Sequence, residues 1–160
     1  MMLRNAVIVS LLLVAAPISA ASDKRVSLKD ASEFATTLRE MGYSVETSTT
    51  KSGMPQLITQ IGGLQTSIVI LGCNAGRNCS HIYLSSSYSD VPNPPDAWIA
   101  QVNDHFDFLK IGKSSDNSLF FSSAHFVEGL PRETMKGILD AWATDSSALA
   151  DKAREAKLVE

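Results

Sequence analysis

Cys73 and Cys79 stand with five residues between them, and His81 follows two positions on, in the run ILGCNAGRNCSHIYL. Three such side chains could hold a metal, exchange electrons or close a covalent loop. A structural zinc site takes four ligands and a catalytic one three. Cys73, Cys79 and His81 could supply three, but no fourth ligand is evident in the sequence. Redox-active dithiols usually have Cys-x-x-Cys spacing at a helix N-terminus, which this run lacks. A disulfide passes a further test. Placing Cys73 opposite Cys79 in a hairpin makes opposed residue numbers sum to 152. Ile70 then faces Ile82, and Ile68 faces Leu84, all aliphatic and all on one side of a sheet. The other side carries Val69 opposite Tyr83 and Leu71 opposite His81. A slip of one residue would mix the two sets. The cysteines and the hydrophobic residues therefore demand the same register, and the expectation is a Cys73–Cys79 disulfide at a hairpin tip.

Other chemistry-bearing residues are scattered. His105 lies beside Asp104 and His125 lies in an apolar run; no His-x-x-x-His or His-Glu-x-x-His pair occurs. Ser123 and His125 would point the same way from one strand, about 7 Å apart, and read as a polar strand face. Asp104 and Asp107 share a helix face, where carboxylates are ordinarily solvated. No Gly-x-Ser-x-Gly elbow, phosphate loop or dinucleotide fingerprint appears. No catalytic, cofactor or metal site is expected on these grounds.

The N-terminus gives the compartment. Arg4 precedes an uncharged apolar run over residues 6–16, then Pro17 and the small residues Ser19, Ala20 and Ala21. This is the order of a secretory signal peptide, expected over residues 1–21 with cleavage after Ala20 or Ala21. The run is shorter than the span of about 20 residues that a bilayer needs. Arg4 is one of 14 basic residues, so 13 remain in the mature chain against 17 acidic ones. With no basic block, nucleic acid and anionic membranes are poor partners. No later segment is apolar enough to span a membrane, so no span is expected after signal cleavage. The expected location is periplasmic or secreted, where paired cysteines persist.

The elements that must position these residues follow from periodicity. Ser27 and Asp30 resemble a capping box, and Ala31, Phe34, Ala35, Leu38 and Met41 recur at helical spacing. A helix over residues 28–41 follows, closed by Gly42. YSVETST, QLITQI, LQTSIVIL and CSHIYLSS then read as four strands. The IGG between the second and third reads as a turn and nothing more. Residues 91–95 hold three prolines and read as a loop, with Asn93 capping a second helix. FLKIGK and SLFFSSAHFV form a strand pair joined by SSDN. Met135, Ile138, Leu139 and Trp142 give the last helix a buried stripe. The order is α-β-β-β-β-α-β-β-α. Short turns between neighbouring strands favour antiparallel pairing, so the fold class is α+β, with helices packed on an antiparallel sheet. A single domain over residues 22–145 is expected, followed by a polar tail over 146–160 with little to bury.

LREMGYSVE, MPQLITQIGGLQTSIVILGC and RNCSHIYLSSSY, with the helix PPDAWIAQVNDHF and the strand pair FLKIGKSSDNSLFF, resemble the YbjN family of bacterial sensory-transduction regulators. The likeness covers about residues 28–142. Asn103 stands in the family's helix motif, whose second Asn position is Phe106 here. The resemblance implies a fold like that of type III secretion chaperones, and a regulatory or chaperone-like role without enzyme activity. It also carries over the expectation of a homodimer. The functional expectation is an exported, non-enzymatic module that holds a peptide or protein, with Val69, Leu71, His81 and Tyr83 as candidate interaction face. The alternative is a periplasmic hydrolase or metal-dependent enzyme assembled from His81, His105, His125 and Asp residues.

Overall fold

The computed structural model describes residues 24–159. The expected signal peptide therefore lies outside the described residues. The elements are α1 (Ala31–Glu40), β1 (Val45–Thr49), β2 (Pro55–Ile61), β3 (Leu64–Leu71), β4 (His81–Pro92), α2 (Asp96–Asn103), β5 (Lys110–Lys113), β6 (Ser118–Phe126) and α3 (Arg132–Glu155). The six strands form one sheet in the order β1-β2-β3-β4-β6-β5, and every neighbouring pair is antiparallel. The α+β class and the element order are those the periodicity predicts.

Alternation decides which face is buried. Leu57, Ile68, Ile70, Ile82, Leu84 and Phe121 point to one side of the sheet. They join Phe34 and Leu38 of α1, Val102 of α2 and Met135, Leu139 and Trp142 of α3 in a single core cluster. All three helices thus bury their apolar residues on the same side.

Three local readings need correction. α1 begins at Ala31, because the Asp30 side chain accepts the Glu33 amide at 2.9 Å and caps the helix itself. Residues 26–29 cannot join α1 because their carbonyls and amides are already engaged. Cys79 N donates to Leu28 O, Asn78 N to Lys29 O, and Val26 N to Leu130 O. Asn93 does not cap α2. It takes a left-handed φ of 46° in the chain reversal, and Pro95 occupies the cap position. β4 runs on to Pro92, which pairs with Ser118 beyond an irregularity after Tyr88; a strand end past a bulge is where a sheet tolerates proline.

The boundary expected at Asp145 falls inside α3. The helix continues to Glu155 and buries Ser146, Leu149 and Ala153. The Ser146 hydroxyl donates to Trp142 O at 2.7 Å, and Tyr88 Oη donates to Ser146 O at 2.8 Å. The expected polar tail is thus a packed helical end. Gly62 does more than turn the chain. At its φ of 61° a Cβ would sit 2.8 Å from Ala143 Cβ, so glycine lets the β2–β3 turn approach α3.

Asn103 has a structural task. Its Nδ2 donates to the carbonyls of Ile99 and Ile111 at 3.0 and 2.9 Å, and its Oδ1 accepts the Ile111 amide at 2.9 Å. β5 is an edge strand, and one side chain replaces the missing neighbour there. Asn103→Ala leaves the Ile111 amide and carbonyl without those partners at a buried position. The expected cost is about 1–3 kcal/mol, read as a lower denaturation midpoint in urea. A shift too small to measure would show that water replaces the amide at no cost.

Candidate functional site

The hairpin that carries the cysteines has the register deduced for it. Ile68 pairs with Leu84, Val69 with Tyr83, Ile70 with Ile82 and Leu71 with His81. Cys73 and Cys79 are joined in a disulfide. Between them Asn74 and Arg77 exchange backbone hydrogen bonds at 2.7 and 3.0 Å. Ala75 and Gly76 make the turn with φ of 48° and 77°. The bridge closes a short loop, for which chain-entropy arithmetic gives about 2–2.5 kcal/mol. Replacing both cysteines with serine is expected to cost roughly 1–3 kcal/mol and leave the fold intact. Denaturation of the double variant checks the cost, and thiol labelling of the native protein should find no free sulfhydryl.

Val69, Leu71, His81 and Tyr83 do share the sheet face turned away from the helices. Val69 is close-packed, and the other three are half-buried. β6 adds what the sequence reading missed. Phe126 pairs with His81 and Ala124 with Tyr83. The Phe126 ring lies 5.1 Å from the His81 imidazole, yet Phe126 remains 78% exposed. His81 is oriented from its other side by Ser80, whose Oγ lies 2.9 Å from Nδ1. The same face continues past Ser67 and Ser85 to a shallow depression of about 430 Å³ lined by Ile58 and Phe120. It is an apolar strip with a serine-rich border that also carries Glu46.

The three histidines are not brought together. His81 and His125 occupy neighbouring registers of paired strands, since Ile82 is the partner of His125. They therefore emerge on opposite faces. His105 lies in the turn just past the end of α2, with Nδ1 3.0 Å from Gln101 O. Among the described residues no three His, Cys, Asp or Glu side chains are grouped to hold a metal ion.

His125 instead opens into a cavity of about 290 Å³ between β6 and α3. Phe108, Leu109, Ile138, Ala141 and Trp142 form apolar walls, and Ser123, His125, Thr134 and Asp145 supply polar groups. The Ser123–His125 pair, about 7 Å apart along the strand by spacing, closes to 3.0 Å between Oγ and Nε2. Burial holds the His125 imidazole below its ordinary pKa, so it is the neutral form that faces the serine at neutral pH. A hydrolytic pair also needs a carboxylate or carbonyl to orient the base. No hydrogen bond to His125 Nδ1 is formed among the described residues. Burial, and then the nearby Asp107, raise the Asp145 carboxyl above the usual aspartate value.

Compared with protein-family models, curated proteins and solved structures, the chain finds no significant match in any of the three.

Proposed function

We propose that this protein is an exported, non-enzymatic binding module that holds a peptide or protein partner against the open face of its sheet. One observation carries the reading: Phe126 is 78% exposed while its ring packs at a tilt beside His81, at the end of the strip formed by Leu71 and Tyr83. A large aromatic side chain held open on a rigid sheet is the kind of anchor that contact surfaces use. The disulfide fits an oxidising compartment. The signal-like N-terminal sequence narrows that compartment to the periplasm or the exterior. The resemblance to the YbjN family points to the same regulatory or chaperone-like class.

The test is substitution on the face. Phe126→Asp and Leu71→Asp place charge on the strip without touching the core cluster. Each should reduce partner association at least tenfold while the far-UV spectrum and denaturation midpoint stay close to wild type. Undiminished association in both variants would move the binding site elsewhere.

A further inference from the structure

The cavity between β6 and α3 lies on the opposite side of the sheet from the proposed contact face and has a different chemistry. Its walls are aromatic and aliphatic, led by Trp142, Phe108 and Ile138. Phe108 is 69% exposed, so one wall stands at the mouth. The volume of about 290 Å³ is at the small end for ligand pockets and suits a single ring with a short chain.

The charge around it has one sign. Among the described residues no Lys or Arg lines the cavity, and its acidic member is Asp145. Asp107 lies close enough to act on Asp145 electrostatically. Among the described residues neither carboxylate takes part in an ion pair. His125, the remaining titratable group of the lining, is neutral at neutral pH. An anionic guest would meet the Asp145 carboxylate and no cation from the lining. A cationic guest would meet a carboxylate at the cavity and aromatic faces, which attract cations through their quadrupoles.

We propose that this cavity binds a small aryl-alkyl ammonium ion, its ring against Trp142 and Ile138 and its charged head at Asp145. Ser123 and His125 line the same space as neutral polar groups and add no competing charge.

Three probes of matched shape test it at neutral pH on the full mature chain: phenethylamine, 2-phenylethanol and 3-phenylpropanoate. Binding is read by calorimetry and by the Trp142 indole N–H resonance. Phenethylamine should bind saturably and shift that resonance. The alcohol should bind about five- to tenfold more weakly, and the carboxylate not at all. Asp145→Asn should bring the amine down to the level of the alcohol. Ile138→Trp, which fills the cavity, should abolish binding of both, with an unchanged denaturation midpoint as its folding control. Failure of the wild-type protein to bind the amine, equal or tighter binding of the carboxylate, or amine binding indifferent to Asp145→Asn would each overturn the proposal. The wild-type probe series does not depend on any variant folding.

Discussion

Trp142→Ala is expected to lower the unfolding free energy by about 3–5 kcal/mol. Trp142 is 2% exposed and lies where α3 meets the sheet. Its ring is 5.2 Å from that of Phe121, and Phe121 is 5.2 Å from Tyr88. Tyr88 in turn is tied to α3 through Ser146. The indole Nε1 donates to Thr66 Oγ1 at 3.1 Å, so the same side chain also reaches β3. Truncation would open a cavity, break the aromatic chain and leave the fully buried Thr66 hydroxyl without that donor. A domain of this size is stable by about 5–15 kcal/mol, so the variant should be marginal. Trp142→Phe keeps most of the volume and loses the hydrogen bond, and should cost clearly less. Urea denaturation followed by circular dichroism separates the two. Equal costs would place the whole effect in the hydrogen bond and none in the packing.

Ile70→Ala should cost about 2–5 kcal/mol, more than removal of the disulfide a few residues away. Ile70 is 1% exposed, and its partner Ile82 is fully buried. The comparison that matters is with Leu71→Ala, next along the strand. Leu71 is only half-buried and faces away from the core, so its truncation should cost much less. A strand places successive side chains on opposite faces. If denaturation gave the reverse order, the assignment of core face and contact face would be inverted.

What the sequence made legible was what lies close along the chain. The β3–β4 register could be deduced because the cysteines and four aliphatic residues sit within one hairpin and constrain each other. Phe126 could not be assigned to that surface. Its partner β4 is separated from β6 by α2 and β5, and no spacing in the sequence fixes a register across such a gap. The end of α3 was missed for another reason. Ser146 and Ala153 are buried but are not apolar enough to make a periodic stripe. The Ser146 hydroxyl satisfies itself on its own helix, so a polar residue can pass into the interior. Asn103 was visible as a motif position, yet its task depends on β5 standing at an edge, which only the topology reveals. The cavity draws Phe108, His125 and Asp145 from a loop, a strand and a helix. The Ser123–His125 contact within it depends on side-chain orientation that strand spacing leaves open.

The central claim is that the face bearing Leu71, Tyr83, His81 and Phe126 carries a partner. Photo-crosslinking in the cells that produce the protein tests it most directly. A benzophenone side chain at position 126 reports from the face, and one at position 36, on an exposed site of α1, serves as control. A discrete higher-mass adduct is expected from position 126 that is absent from position 36 and is lost when Leu71→Asp is added. A second copy of this chain in that adduct would identify the partner as itself, as the expected homodimer requires. Adducts equal at both positions, or none at 126 under conditions where the protein is exported and folded, would contradict it.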